Sequence, residues 1–184
     1  MKTLDGIRLQ TPMDEKTARS LRAGDWVRIS GVVYTARDMA HRRICQALEA
    51  GQTPPFDLEG AAIYFVGPTP ARPGRVIGAA GPTTSSRMDS FSPGLIAAGL
   101  RAMIGKGYRN GQVRKALAEC GAVHLATIGG AGALLSQHIV GAELIAYEDL
   151  GTEAIRRLTV VDFPAIVAYD SYGQSVYARD AVHE

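Results

Sequence analysis

The sequence predicts one α/β domain over residues 1–184, built on a mixed β-sheet. Segments rich in β-branched and aromatic residues alternate with segments whose apolar residues recur at helical spacing, a pattern typical of alternating strands and helices. The last part of the chain holds strand-like segments with no helix between them, so part of the sheet need not be parallel. A length of 184 residues is sufficient for one domain with a sizeable core.

The first half of the chain predicts strands and helices in alternation. Apolar and β-branched runs predict the strands, and Thr11 or Asp14 is positioned to cap the first helix. A glycine follows each helical segment, where such a residue commonly ends a helix. The predicted elements are a strand over 6–9, a helix over 14–21, a strand over 26–36, a helix over 37–49 and a strand over 61–67.

The second half begins with a predicted strand over 75–79, followed by a loop rich in glycine and hydroxyl side chains. Ser92 can cap the next helix and Pro93 suits its first position, and apolar residues at helical spacing continue this helix to Ile104. Asn110 opens a further helix that runs to about residue 119. The remaining predicted elements are strands over 122–128, 142–147 and 158–169, the last broken at Pro164, and a short helix within GGAGALL.

Composition and charge exclude several classes of protein. The formal net charge of +2 is too small for the dense positive surface that nucleic-acid binding normally needs, so we expect no nucleic-acid partner. No stretch reaches the roughly 20 apolar residues of a membrane span, and the start, MKTLDGIRLQ, lacks the apolar core of a signal peptide. We therefore expect no membrane association and a cytoplasmic location. Neither GxGxxG after a strand nor GxxxxGK[ST] is present, which argues against dinucleotide and P-loop sites.

Three short segments place cations beside glycines or hydroxyls at the ends of predicted elements. They are YTARDMAHRR around Arg37, GPTTSSRMDS up to Arg87, and IGKG around Lys106. An Arg guanidinium binds a carboxylate through two parallel hydrogen bonds, and glycines let a ligand approach the backbone closely. Arg37, Arg87 and Lys106 could therefore bind a dicarboxylate, with Thr83 or Thr84 as a proton-transfer or hydrogen-bonding group.

Each segment also has a purely structural interpretation. Arg37 and Asp38 could pair with one another at a helix start, and GPTTSS could be only a turn and a cap. Lys106 could be a cation favoured at a helix C-terminus. His41 lies one turn from Arg37 and could orient a carboxylate or be a structural histidine. The cysteines, Cys45 and Cys120, fall in helical patterns and suggest buried, inert thiols, and no metal site is predicted.

The segments TARDMAHRR, GPTTSSRMD, IGKG and HLATIGGAGALL resemble, in order and spacing, the β subunit of the class I iron–sulfur hydro-lyases. This is the fumarase and L(+)-tartrate dehydratase family, in which the same region is the C-terminal domain of single-chain members. The resemblance covers nearly the whole chain. One departure is Gly132, where the family usually has Ala, and it bears on local packing.

The resemblance implies a swivelling β/β/α layered fold with a partly closed sheet, and the reversible hydration of an unsaturated dicarboxylate. It also implies a four-iron, four-sulfur cluster held by three cysteines of a separate α subunit, with one iron free to bind substrate. This chain has two cysteines, so it would be catalytically incomplete without that subunit. An α2β2 assembly is expected, because closed symmetric assemblies are usual.

The resemblance also assigns roles to individual residues. Arg37, Arg87 and Lys106 match the ligands of the substrate carboxylates, and Thr84 matches a further substrate contact. Thr83 matches the hydroxyl proposed as catalytic base, which acts with an acidic residue of the α subunit. Independently of the resemblance, the positions of Asp38 and His41, next to Arg37 and one turn after it, make them candidates for contacts that orient these ligands.

Three functional hypotheses follow. The first is the β subunit of a fumarate hydratase of the tricarboxylic acid cycle, which converts fumarate to (S)-malate. The second is the β subunit of L(+)-tartrate dehydratase, which needs the same carboxylate ligands and recognises a second hydroxyl. The third is a non-catalytic module that binds dicarboxylates and has lost its partner.

Overall fold

The computed structural model of the chain describes residues 6–177. Seven strands and five α-helices alternate through most of this part, as the sequence predicts. The strands are β1 (Ile7–Thr11), β2 (Trp26–Thr35), β3 (Ala62–Tyr64), β4 (Ala102–Gly105), β5 (Val123–Ala126), β6 (Ile139–Ala146) and β7 (Ile155–Tyr169). The helices are α1 (Glu15–Ser20), α2 (Asp38–Glu49), α3 (Ser92–Ala97), α4 (Gly111–Cys120) and α5 (Gly132–Leu135). Three short 3₁₀ helices cover Ser85–Met88, Ser136–His138 and Glu148–Glu153.

The sheet is mixed and closes on itself, so the prediction of an α/β fold with a mixed sheet is confirmed. Strands β1 to β5 are parallel and lie side by side in chain order. The long strand β7 runs antiparallel and pairs with β2 on one side and with β5 on the other. Because β7 bridges these two strands, the ring β2-β3-β4-β5-β7 is closed, and β6 pairs with β7 outside that ring.

Alternate residues of the strands pack into two separate hydrophobic clusters. In β3, Ala62 and Tyr64 belong to one cluster, whereas Ile63 and the following Phe65 belong to the other. This alternation follows from the two-residue period of a strand. Both faces of the central strands are buried, which explains why these segments read as continuous apolar runs in the sequence.

Two helix starts were predicted correctly from local sequence signals. Asp14 caps α1, and its Oδ1 accepts a hydrogen bond of 2.7 Å from the amide of Thr17. Asn110 caps α4, and its Oδ1 accepts a bond of 3.0 Å from the amide of Val113. These signals work because each cap involves residues only three positions apart.

The predicted helix that continued to Ile104 was wrong in its second half. Helix α3 ends at Ala97, and the segment Ala102–Gly105 is instead strand β4, buried along its whole length. The chain turns at Gly99, whose φ of +113° and close approach to the main chain of Glu59 exclude a Cβ atom. A short buried apolar run fits a helix or a strand equally well. This segment is a strand because it pairs with β3 on one side and with β5 on the other.

The capping residue of α3 also differs from the prediction. Phe91 occupies the cap position, and the Ser92 hydroxyl donates to the carbonyl oxygen of Met88 at 2.9 Å. Pro93 lies within the first turn, as predicted. Ser92 is therefore the first residue of the helix, and its side chain fixes the preceding 3₁₀ helix.

Two strand predictions also need correction. Residues 75–79 form no strand, because they belong to an irregular loop whose ends are joined by the backbone and side-chain bonds between Thr69 and Ala79. Strand β7 is not broken at Pro164, which pairs with Arg28 and whose carbonyl accepts a bond from the Thr127 hydroxyl. The irregularity lies at Asp162, where φ is +49°.

Candidate functional site

The predicted site residues gather at the carboxyl ends of the parallel strands. Arg37 follows β2, Lys106 follows β4, and the amide of Thr83 donates a 2.7 Å hydrogen bond to the carbonyl of Phe65, just after β3. In α/β folds with parallel strands, open or closed, ligands bind at this edge because the loops that follow the strands meet there. The fold therefore brings together segments that lie far apart in the sequence.

Arg37 is held between an acidic side chain and a glycine. It occupies the N-cap position of α2, and its Nη2 lies 3.5 Å from Oε1 of Glu153, at the end of the 3₁₀ helix before β7. A Cβ atom at Gly67 would lie 2.9 Å from Nη1 of Arg37, so a larger residue at position 67 would make this guanidinium shift. The side chain is largely buried, with 22% of its surface exposed, and its Nε has no hydrogen-bond partner among the described residues.

Asp38 pairs mainly with Arg87 rather than with Arg37. Its two carboxylate oxygens accept bonds of 3.0 and 2.8 Å from Nε and Nη2 of Arg87, whereas Nε of Arg37 lies 3.9 Å from Oδ2. The structural interpretation of a simple Arg37–Asp38 pair at the helix start is therefore incomplete. Asp38 instead links α2 to the 3₁₀ helix Ser85–Met88.

The segment 83–85 lies across the ends of two strands. Thr84 forms an isolated parallel bridge with Lys106, and the amide of Ser85 donates to the Lys106 carbonyl at 2.8 Å. Thr83 is half-buried and Thr84 is exposed. The main-chain bonds on both sides of Thr83 and Thr84 thus fix the hydroxyl residues next to the lysine.

Close packing of small residues holds this segment in place. A Cβ atom at Gly105 would lie 2.9 Å from the Phe65 ring and would collide with the Ser85 hydroxyl. The loop before Thr83 packs against the start of α5, because a Cβ at Gly132 would lie 2.8 Å from the amide nitrogen of Gly81. The glycine at position 132 therefore has a packing role in this chain.

Lys106 has the least compensated charge of the site. No carboxylate of the described residues lies within 4.0 Å of its ammonium, whereas Arg37 and Arg87 both have acidic neighbours. Its side chain runs along Gly129, where a Cβ would lie 3.5 Å from Nζ. The site therefore contains three cationic side chains, those of Arg37, Arg87 and Lys106, and the two carboxylates of Asp38 and Glu153. The remaining positive charge favours an anionic ligand.

His41 supports the backbone of Arg37. Its Nδ1 lies 2.9 Å from the Arg37 carbonyl, which can only accept a hydrogen bond, so Nδ1 carries the proton. The side chain is fully buried against Phe65 and Phe91, and Nε2 has no partner in the described residues. Burial lowers the pKa of His41 to about 4, and the ring is therefore neutral at pH 7.

A buried ion pair beneath the site was missed by sequence reasoning. Nε of Arg109 donates to Oδ1 of Asp89 at 2.6 Å, and the amide of Asn110 donates to Oδ2 at 2.9 Å. Arg109 also contacts Ser92 and Nδ1 of His124. Burial lowers the pKa of Arg109, and the charge of Asp89 opposes that shift. The pair joins the segment that follows Arg87 to the segment that follows Lys106.

Glu153 is the second residue that the sequence did not reveal. One of its oxygens faces Arg37, and the other accepts a 3.0 Å bond from the amide of Met39 in the first turn of α2. The contact spans 114 positions of the chain, so no local signal could have identified it.

The described residues do not provide a set of ligands for a metal cluster. Cys45 on α2 and Cys120 on α4 are half-buried free thiols, and no group of three His, Cys, Asp or Glu side chains in residues 6–177 could hold a metal ion. A cluster that needs three cysteines does not fit a chain with two. None of the helices of this part is both long and apolar enough to cross a membrane.

Comparison with known proteins relates this chain to two kinds of hydro-lyase. The sequence matches the family described as Fumarase C-terminus over residues 1–180. It is 35% identical over 177 residues to the anaerobic class I fumarate hydratase of Escherichia coli K12, covering 94% of this chain and 32% of that protein. It is also 35% identical over 177 residues to the mitochondrial fumarate hydratase 1 of Leishmania major, with 94% and 32% covered.

A third relative has nearly the same length as this chain. The match to the protein named "Putative L(+)-tartrate dehydratase subunit beta" of Methanocaldococcus jannaschii is 36% identical over 171 residues and covers 90% of this chain and 88% of the relative. The chain thus spans about one third of the fumarate hydratases and most of the tartrate dehydratase subunit.

Proposed function

Because the chain belongs to the fumarase C-terminus family, we propose that it is the β subunit of a class I fumarate hydratase that reversibly hydrates fumarate to (S)-malate. The observation that carries this proposal is the meeting of Arg37, Arg87 and Lys106 at one edge of the sheet, beside Thr83 and Thr84. A C4 dicarboxylate has an anion at each end, and a site with separate guanidinium and ammonium groups suits both.

The positive groups bind the substrate and stabilise the charge that develops during the reaction. Removal of a proton from the carbon next to a carboxylate moves negative charge onto that carboxylate. Arg37 is already ordered by Glu153 and Gly67, so its guanidinium needs little rearrangement when this charge appears. The Arg87 side chain is 49% exposed and binds Asp38 through Nε and Nη2. Its Nη1 takes no part in those bonds, so this nitrogen is available to a substrate carboxylate.

Thr83 is the proposed group for proton transfer. In the direction of dehydration, the Thr83 oxygen would give its own proton to the activating group of the companion subunit as it takes a proton from the carbon of malate. The carbon–carbon double bond then forms, the hydroxyl at the neighbouring carbon leaves with its bonding electrons, and a proton from the companion subunit converts it to water. A threonine hydroxyl is a weak base in water, so this role requires an activating acidic group from the companion subunit. The bond from the Thr83 amide to Phe65 fixes the backbone from which that hydroxyl projects.

The companion subunit is part of the proposal. We infer a cysteine-bearing α subunit that holds the four-iron, four-sulfur cluster, because this chain has two cysteines and the family resemblance implies three cluster ligands. The proposal includes one swivelling β/β/α domain over residues 1–184, an α2β2 assembly, a cytoplasmic location and a place in the tricarboxylic acid cycle.

One observation favours a second candidate, the β subunit of L(+)-tartrate dehydratase. The relative of that name is covered over 88% of its length, whereas the fumarate hydratases are covered over about one third. Both reactions need the same carboxylate ligands, so the described residues suit either substrate.

The test is anaerobic affinity purification of this chain from its native cells, with iron and sulfide analysis and hydration assays. A copurified iron–sulfur protein and hydration of fumarate faster than dehydration of L-tartrate support the first candidate. The reverse preference supports the second. A folded chain that purifies alone, binds dicarboxylates and has no activity would contradict both and indicate a binding module.

A further inference from the structure

An apolar groove lies beside the candidate site. It has a volume of about 300 Å³ and is formed where the start of β2, the loop after β5, helix α5 and the middle of β7 meet. Its main apolar lining residues are Trp26, Ile128, Leu134, Leu135, Pro164 and Ile166. No Asp, Glu, Lys or Arg lines it.

The groove is bordered by large side chains that face water. Ile128 is 67% exposed, Leu134 is 64% exposed and Trp26 is 44% exposed. Single exposed apolar residues are common on protein surfaces, but a contiguous apolar group around a groove is typical of a binding surface. The described residues of the chain leave this group uncovered.

The groove and the candidate site share one loop. The amide of Thr127, which lines the groove, donates to the carbonyl of Gly105 at 3.0 Å, directly before Lys106. Gly129, which follows Ile128, lies along the aliphatic chain of Lys106. A protein that covers Ile128 therefore also limits the access of water to Lys106. No carboxylate of the described residues compensates the charge of this lysine.

We propose that this groove is the docking surface for the companion subunit, which covers Ile128 and Leu134 with apolar side chains and closes the Lys106 side of the site. The inference rests on the proposed function. The chain spans about one third of the fumarate hydratase relatives, and under the proposed function a companion subunit corresponding to the remaining two thirds of their length completes the site. An uncharged groove of this kind fits a protein surface of apolar character.

The test compares two double variants with the unchanged chain. Ile128→Asp with Leu134→Asp places two charges in the groove, and Val76→Asp with Leu144→Asp places the same charges at exposed apolar positions of a different cleft. Each tagged chain is used for anaerobic capture from its native cells. Peptide mass spectrometry identifies a captured polypeptide similar to the remaining two thirds of the class I fumarate hydratases, and its amount is measured.

We expect the groove variant to retain less than about one tenth of the captured subunit and the control variant to stay within about twofold, because central apolar contacts dominate binding. Circular dichroism and urea unfolding check that both variants fold. If the Asp variant is unfolded, Ile128→Thr with Leu134→Ser is used, and we expect a smaller loss in the same direction.

The outcomes separate this proposal from the proposed function. Equal capture by the groove variant and the unchanged chain would overturn the docking surface and leave the proposed function standing. Capture of no such polypeptide by the unchanged chain would overturn both. A dimer of the unchanged chain that the groove variant converts to a monomer, measured by light scattering, would assign the groove to a second copy and overturn the proposal.

Discussion

The carboxylate of Asp38 accepts hydrogen bonds of 3.0 and 2.8 Å from the guanidinium of Arg87, and this fork joins the first residue of α2 to a 3₁₀ helix 49 positions later. It leaves Nη1 of Arg87 available at the edge of the sheet where Arg37 and Lys106 also lie. Asp38 therefore acts as the residue that orients Arg87.

Replacement of Arg87 by lysine should lower kcat/KM of the assembled enzyme at least about tenfold. An ammonium group keeps the charge but cannot bind Asp38 through two parallel bonds and a substrate carboxylate at once. Steady-state hydration kinetics measure the change. Arg43→Lys is the matched control, because Arg43 makes a similar fork with Asp149, and its kinetics should stay within about twofold. Equal losses in both variants would contradict a specific role for Arg87.

Removal of the Thr83 hydroxyl should lower kcat at least about a hundredfold, the scale of losing a positioned proton-transfer group. Thr83→Ala is compared with Thr83→Ser, which keeps a hydroxyl and should recover much of the activity. Thr53→Ala, in an exposed loop, serves as the control. Near-normal turnover of a folded Thr83→Ala enzyme would remove this residue from the reaction.

Asp89→Asn should destabilise the chain by roughly 3–5 kcal/mol, because it leaves the buried Arg109 guanidinium without its counter-charge. The Arg109 side chain is 0% exposed, so water cannot replace the lost carboxylate. Urea unfolding measures the free energy of unfolding. Glu119→Gln breaks the exposed ion pair with Lys115 and should cost less than about 0.5 kcal/mol. Similar costs for the two variants would show that the buried pair has no special importance.

His41 should make the folded chain less stable as the pH falls from about 6.5 to about 4. Burial lowers the pKa of this side chain from 6.5 to about 4, so within this range the unfolded chain binds a proton that the folded chain does not. The full effect is about 3 kcal/mol at the acidic end. The buried His124 acts in the same direction, since burial also lowers its pKa.

Urea unfolding at several pH values tests this dependence in the unchanged chain and in His41→Gln. We expect the variant to lose stability less steeply between pH 6.5 and 4.5, with the remaining slope due in part to His124. An unchanged slope would show that His41 does not contribute to the acid sensitivity.

Local signals in the sequence predicted the parts of the fold that depend on neighbouring residues. The caps at Asp14 and Asn110 are examples, since each involves a contact three positions away. The apolar run that ends at Ile104 could not be resolved in this way. Its conversion to β4 depends on Gly99 and on the strands to either side, which the run itself does not encode.

The amino-acid sequence shows that cations, hydroxyls and glycines follow the ends of several predicted elements, and the motifs around Arg37, Arg87 and Lys106 carry the family resemblance. The pairing of these groups depends on contacts between distant parts of the chain. Asp38 binds Arg87 rather than mainly its neighbour, Glu153 reaches Arg37 across 116 positions, and Lys106 has no described acidic partner. The physical reason is that the pairing of β2 with β3 and β7, and of β3 with β4, sets these distances, and such long-range packing leaves no local pattern in the chain.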